Sequence, residues 1–216
     1  MAVSVLAPFA TLVPGVPDVQ GLPGNPEPSG RSTTPSRVLI LPGWQGSGPD
    51  HWQMRWAQAH GYAVLAQNDW LHPLRGDWLA RLDECVGDAE GPVVLVAHSL
   101  GCVLVAAWAS LSRHTARVRG ALLVAPGDTE APELAERLPG WSPIARQPLP
   151  FRSWVVGSQN DPYCRVGRAQ ALHQHFLYGS LNALRGRFLV QAEAQHHGGA
   201  EDGCQRVGNT FAGNVG

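Results

Sequence analysis

The sequence predicts an α/β protein in which a mostly parallel sheet is sandwiched between helices as a three-layer α/β/α fold. Three observations predict it. Short runs rich in Val and Leu recur along the chain, each followed by a segment with helical spacing. The runs are continuously apolar rather than alternating, as in strands covered on both faces. Of the 216 residues 44% are apolar and 15% charged, which suits one domain with a substantial core.

In chain order, residues 1–36 come first. They are rich in Pro, Gly and Ser (GLPGNPEPSGRSTTPS) and are expected to form a flexible leader, because such a stretch buries too little to offset its ordering entropy. Strands are expected at 37–41 (RVLIL), 62–66 (YAVLA), 93–97 (VVLVA), 120–125 (GALLVA), 153–157 (SWVVG) and 187–190 (RFLV). Helices are expected between them, at about 49–60, 77–86, 99–111, 131–137 and 164–176. Pro49 and Asp50 suit the start of the first helix. In the third, Val103, Ala106 and Ala107 supply an apolar stripe.

Composition excludes several classes of function. A net charge of −1 gives no electrostatic case for nucleic acid or anionic lipid. All 16 basic residues are arginine, so a P-loop lysine, a Schiff-base lysine and a Ser–Lys dyad are ruled out. The four cysteines contain no CxxC pair and read as reduced, packed thiols. The N-terminus lacks a positive n-region and its apolar run is broken by prolines. Neither a signal peptide nor a membrane span is expected, and the cytoplasm is the expected compartment. A metal site is not expected either. His173 and His175 lie two apart and point to opposite sides of a helix, and HExxH is missing.

The chemistry centres on Ala97-His98-Ser99-Leu100-Gly101, where a strand gives way at once to a helix. A nucleophile elbow needs that junction, with small residues flanking the serine so that strand and helix approach closely. A serine at a strand–helix junction also serves as a simple N-cap, so the pentapeptide alone leaves both readings open. Order along the chain favours the nucleophile. Ser99 is followed by Asp161 after the fifth predicted strand and by His196 and His197 after the sixth, the Ser–acid–His order of an α/β-hydrolase. Asp128, after the fourth strand, is a rival acid. The loop LPGWQGSGPDHW after the first strand is placed to complete an oxyanion hole, with the backbone N–H groups of Trp44 and Leu100 as donors. Its glycines run in the wrong sense for a dinucleotide loop, and no organic cofactor is expected. Trp44, Trp52, Trp70 and Trp78 are candidates for an acyl or aryl pocket, although core packing explains each one singly.

With these residues placed, the sequence resembles the small serine hydrolases of α/β-hydrolase fold, the retinoblastoma-binding type and its bacterial relatives. The resemblance runs from about Val38 to Gly203 through six ordered blocks. These are GSGPDHWQ at 46–53, QNDWLHPLRGDW at 67–78, VAHSLG at 96–101, LVAP at 123–126, WSPIARQPLPF at 141–151 and NDPYCRVGRAQAL at 160–172. It implies a single hydrolase domain over 37–203 without a large cap, whereas residues 204–216, which lack helical periodicity, depart from it and are expected to form an irregular tail. The resemblance also implies Ser99 as nucleophile, Asp161 as acid and His197 as base, acting on small esters, thioesters or amides; a monomer or homodimer is expected. His197 through Gly203 keeps the H-x-x-A-E-x-G spacing of the family, but His196 replaces the preceding glycine and stays a rival base. The altered histidine loop, and an ending without helical periodicity, leave one alternative: a catalytically impaired member acting as a protein-interaction module.

Overall fold

Each of the six apolar runs becomes a strand: β1 (Arg37–Leu41), β2 (Ala63–Val64), β3 (Val93–His98), β4 (Val118–Val124), β5 (Arg152–Ser158) and β6 (Gly186–Gln191). They form one sheet in the order β2-β1-β3-β4-β5-β6, with every neighbouring pair parallel. Between them run α1 (Trp52–His60), α2 (Arg75–Gly87), α3 (Leu100–Ala109), α4 (Pro132–Arg137) and α5 (Val166–Leu177). The computed structural model describes residues 36–177 and 186–191. The expected leader (apart from Ser36), the tail at 204–216 and both candidate histidines lie outside the described residues.

The strand order decides which helix covers which face. From β1 the chain steps outward to β2, then crosses back and proceeds in the other direction from β3 to β6. Parallel crossovers are right-handed, so the first connection places α1 on one face and the later ones place α2 to α5 on the other. The core divides accordingly. Leu39, Leu41, Val93, Leu95, Ala97, Ala121, Leu123 and Val155 join Trp78, Leu82, Val103, Leu134 and Leu172 in one cluster. Their alternate neighbours Ile40 and Val96 are buried on the opposite face. Burial on both faces is why these strands read as unbroken apolar runs.

Three elements depart from the sequence expectation. β2 shrinks from 62–66 to two residues at the sheet edge, where Val64 is exposed. α1 starts at Trp52 rather than near Pro49, because His51, not Asp50, is its cap. The His51 ring is buried, and its Nδ1 accepts the Gln53 N–H at 3.3 Å. α3 has no polar face at all, since every residue from Leu100 to Trp108 is buried. It lies between the sheet and α2, to which it is fastened by Trp108 Nε1–H on the Asp83 carboxylate at 2.9 Å. The predicted stripe of Val103, Ala106 and Ala107 is thus part of a helix buried all round.

All six strands run the same way, so their carboxyl ends share one edge. In open parallel sheets this edge is where ligands bind. Ser99 follows β3, Asp128 follows β4 and Asp161 follows β5.

Candidate active site

Ser99 occupies the junction between β3 and α3 with φ 51° and ψ −118°, a conformation that L-residues rarely adopt. Holding it costs about 1–3 kcal/mol, and surrounding contacts must over-determine it. Those contacts are visible. The Ser99 N–H donates to the Val124 carbonyl at 3.0 Å, and the Ser99 carbonyl accepts from Cys102 N–H at 3.0 Å and Gly127 N–H at 3.4 Å. The Ser99 side chain makes no capping hydrogen bond. Of the two readings of the pentapeptide, the helix cap is therefore the one this geometry does not support.

The small residues flanking the serine have a physical reason. A Cβ on Gly101 would lie 2.6 Å from the Leu41 carbonyl oxygen and 2.9 Å from that of Pro42. Helix α3 thus starts directly against the end of β1. A Cβ on Gly43 would fall 2.8 Å from Ser99 Cβ and 3.3 Å from the Leu100 nitrogen. Glycine at 43 brings the loop after β1 up to the elbow and sets the next residue, Trp44, beside the start of α3. Leu100 is the first residue of that helix, so its N–H has no intrahelical acceptor.

A second segment supports the loop from outside. The Trp44 indole N–H donates to the Leu71 carbonyl at 3.0 Å, and the Gln45 N–H to the Trp70 carbonyl at 2.9 Å. The Arg137 guanidinium lies over the Trp44 ring, 4.4 Å from its centroid. Behind Trp70 stand Trp78 and Trp141 in successive edge-to-face contacts at 5.4 and 5.3 Å. Trp78 and Trp141 are buried, so Trp78 belongs to the core rather than to a pocket wall, whereas Trp44 and Trp70 are half-buried next to the loop.

The two candidate acids have different surroundings. Asp128 is ion-paired to Arg168 of α5, Nε to Oδ2 at 3.1 Å. Asp161 has no ion-pair partner among the described residues. Burial pushes its carboxyl up from the usual range, and the Tyr163 and Cys164 backbone N–H groups offset part of that rise. Asp161 is close enough to the elbow helix to act on its thiol. Burial first, and then other contributions that include the Asp161 charge, hold Cys102 well above the usual thiol range. Cys164 is pushed up to about 12 by burial and then by Asp161 and Asp128. Both thiols are free and unreactive packing groups, as the sequence suggests for Cys102.

Two further residues escape sequence reasoning. His51 packs its ring against His98, the residue before Ser99, with centroids 4.8 Å apart. Burial lowers His51 to about 4 and His98 to about 3, the His51 charge adding to the effect on His98. Gln53 is wholly buried and hydrogen-bonds to both β1 and β3. Their only signal in the sequence is membership of the block GSGPDHWQ. Among the described residues no group of His, Cys, Asp and Glu is arranged to hold a metal, and no helix is long and apolar enough to cross a membrane.

Comparison with known proteins agrees with this geometry. The chain is similar in structure to a YdeN-like hydrolase from Pectobacterium atrosepticum, at 22% identity over 73% of this chain and 77% of that one, with a TM-score of 0.60. It is similar to the ydeN gene product of B. subtilis at 21% identity, over 75% of this chain and 88% of that one, with a TM-score of 0.55. Est1E from Butyrivibrio proteoclasticus, solved with ferulic acid bound, shares the fold at 11% identity over 72% and 79% of the two chains, with a TM-score of 0.52. Comparison with curated protein sequences gives no match. Residues 38–197 match the serine hydrolase family, from the first strand through Ser99 and Asp161 to the second of the paired histidines. The chain belongs to the serine hydrolase family and is a hydrolase of α/β-hydrolase fold.

Proposed function

We propose that the protein cleaves small carboxylic esters, with thioesters and amides as related substrates, through a Ser99–His197–Asp161 triad and an acyl-enzyme intermediate. The observation that carries this reading is the backbone of Ser99. It stands at φ 51° and ψ −118° at the mouth of a buried helix, and its hydroxyl has no capping duty. A strained serine without a structural task is what a nucleophile elbow supplies.

In the proposed reaction Ser99 Oγ attacks the substrate carbonyl carbon while its proton passes to the His197 imidazole. The Trp44 and Leu100 amides donate to the resulting oxyanion. The C–O bond to the alcohol breaks, and the alcohol takes the proton from the imidazolium. Water then repeats the sequence on the acyl-enzyme, releasing the acid and restoring Ser99. Asp161, desolvated and without a cation among the described residues, supplies the charge that orients the imidazole and stabilises its protonated form. Asp128 is already committed to Arg168. Neither a metal nor an organic cofactor enters these steps. The free thiols of Cys85, Cys102 and Cys164 support a reducing compartment, the cytoplasm.

A fluorophosphonate probe tests the nucleophile. The wild-type protein is expected to be labelled and Ser99→Ala to be unlabelled and inactive on short-chain p-nitrophenyl esters. A folded wild type that takes no label would favour the interaction-module reading instead. For the base, His197→Ala is expected to abolish ester turnover and His196→Ala to retain it; the reverse pattern would transfer the role to His196.

A further inference from the structure

We infer that Gln53 is a positioning residue that holds the oxyanion loop in register with the nucleophile strand; this rests on the triad reading above. Gln53 lies in the first turn of α1 and is fully buried. Its carboxamide makes three hydrogen bonds, each to a segment that bears on the active site. Nε2–H donates to the Leu41 carbonyl at 3.0 Å and to the Val96 carbonyl at 3.1 Å, and Oε1 accepts from Ser47 Oγ at 3.0 Å.

Leu41 is the last residue of β1, two before Gly43 and three before Trp44. Val96 lies in β3, three residues before Ser99. Ser47 belongs to the loop that returns from the oxyanion turn to α1. One side chain thus ties the strand that ends in the oxyanion donor to the strand that ends in the nucleophile, and it also ties down the loop between. The amide orientation is not arbitrary. Two carbonyl oxygens require both N–H donors of Nε2, and the remaining oxygen faces a hydroxyl that donates to it. A carboxylate at this position would set an oxygen against two others, and it would do so away from water.

The contact between the His51 and His98 rings, two residues before Gln53 and one before Ser99, runs along the same seam. The first turn of α1 is therefore pressed onto the carboxyl end of β3 at two places. A leucine or methionine would fill the space but would leave the Leu41 and Val96 carbonyls without the Nε2 donors, so the carboxamide serves stability as well as position. What the carboxamide adds is directional control of two strand ends whose relative position sets the distance from Ser99 Oγ to the oxyanion donors. Such a distance matters steeply, because a displacement of about 1 Å costs roughly a hundredfold in rate.

The test is Gln53→Met, which keeps side-chain length and apolar volume and removes the three hydrogen bonds. Turnover is expressed per active site titrated with a fluorophosphonate. The expected result is a kcat lower by about tenfold or more with KM within about twofold, and a phenylboronic acid inhibition constant raised by a factor close to the loss in kcat. A residue needed only for folding would lower the titrated fraction and leave kcat per site and the boronate constant unchanged, and that outcome overturns the inference. If Gln53→Met does not fold, Ser47→Ala decides. It removes one of the three bonds at a partly buried position and is expected to lower kcat severalfold at unchanged KM, whereas an unchanged kcat overturns the inference. Failure of the triad reading looks different: the wild type itself would take no label at Ser99.

Discussion

Gly101 shows how little freedom single positions have around Ser99. Alanine is the better helix former by about 1 kcal/mol, so Gly101→Ala would stabilise an open helix. Here its methyl group would sit 2.6 Å from a backbone oxygen of β1, which cannot swing aside as a side chain does. The clash outweighs the propensity. Gly101→Ala is expected to lose about 1–3 kcal/mol in urea unfolding and to lose esterase activity, because α3 can yield only by shifting the elbow. The two acids separate by partner. Asp161→Asn is expected to lower kcat by on the order of 10³–10⁴-fold, through loss of the charge that orients the imidazole. Asp128→Asn breaks a partly exposed pair with Arg168, is expected to cost no more than about 1 kcal/mol, and should leave kcat near wild type. Equal losses of kcat in both variants would count against the assignment of the acid.

Among the elements, the tryptophan ladder and α2 carry the support for the oxyanion loop. Trp141 donates its indole N–H to the Pro73 carbonyl at 2.8 Å and accepts the Thr129 hydroxyl on its own carbonyl at 3.0 Å. Trp78 donates to the Asp69 carbonyl at 3.2 Å. Residues 69–73 are therefore held from below by two buried indoles, and their upper side holds Trp44 and Gln45. Trp141→Ala is expected to cost about 3–5 kcal/mol through the cavity it leaves. Trp141→Phe keeps an aromatic ring against Trp78 but removes the donor to Pro73 and part of the indole volume, and is expected to cost less than the alanine variant, about 2–3 kcal/mol. Unfolding followed by tryptophan fluorescence orders these variants, and equal costs would show that the hydrogen bond carries more than the ring.

At the scale of the whole molecule, stability is expected to fall on mild acidification. In the unfolded chain His51 and His98 take up protons near 6.5. In the folded protein burial delays this to about 4 and about 3. Between these values the unfolded state binds more protons, so folding stability drops as pH falls from about 6.5 toward 4, by up to about 1.4 kcal/mol per pH unit for each group. Asp161 acts in the opposite sense. Its raised value means that protonation on acidification favours the folded state, in a window that lies above ordinary carboxylate values and closes on reaching them. Asp83 and Glu130, both lowered, add to the acid loss further down, and burial is the largest single influence on Glu130 although its hydrogen bonds and arginines prevail. Urea unfolding at pH 7.5 and pH 5 measures the slope. His51→Asn, which keeps a capping oxygen and removes the titrating ring, is expected to flatten it; an unchanged slope would show that the histidine pair does not set the acid limit.

The sequence by itself determined the architecture. Strands covered on both faces need unbroken apolar runs, which made β1, β3, β4 and β5 legible at 37–41, 93–97, 120–125 and 153–157; the runs at 62–66 and 187–190 mark the two outer strands of the described sheet, β2 being two residues long. Parallel strands put their following loops on one edge, which makes Ser99 and Asp161 candidates from the sequence alone. Tertiary structure decided what local pattern leaves degenerate. A cap and an elbow share one sequence signature and differ in φ, and the Ser99 backbone is held by Val124 of β4 and by Gly127 as well as by the nearby Cys102. Two aspartates after two strands look alike until Arg168, forty residues beyond Asp128, pairs with one of them. Gln53 reads as an ordinary polar residue in an amphipathic helix until two strand ends, twelve and forty-three residues distant, place their carbonyls against it. Periodicity reports only whether a side chain is buried, whereas these roles depend on partners distant in the chain, and those partners meet only when the sheet closes over them.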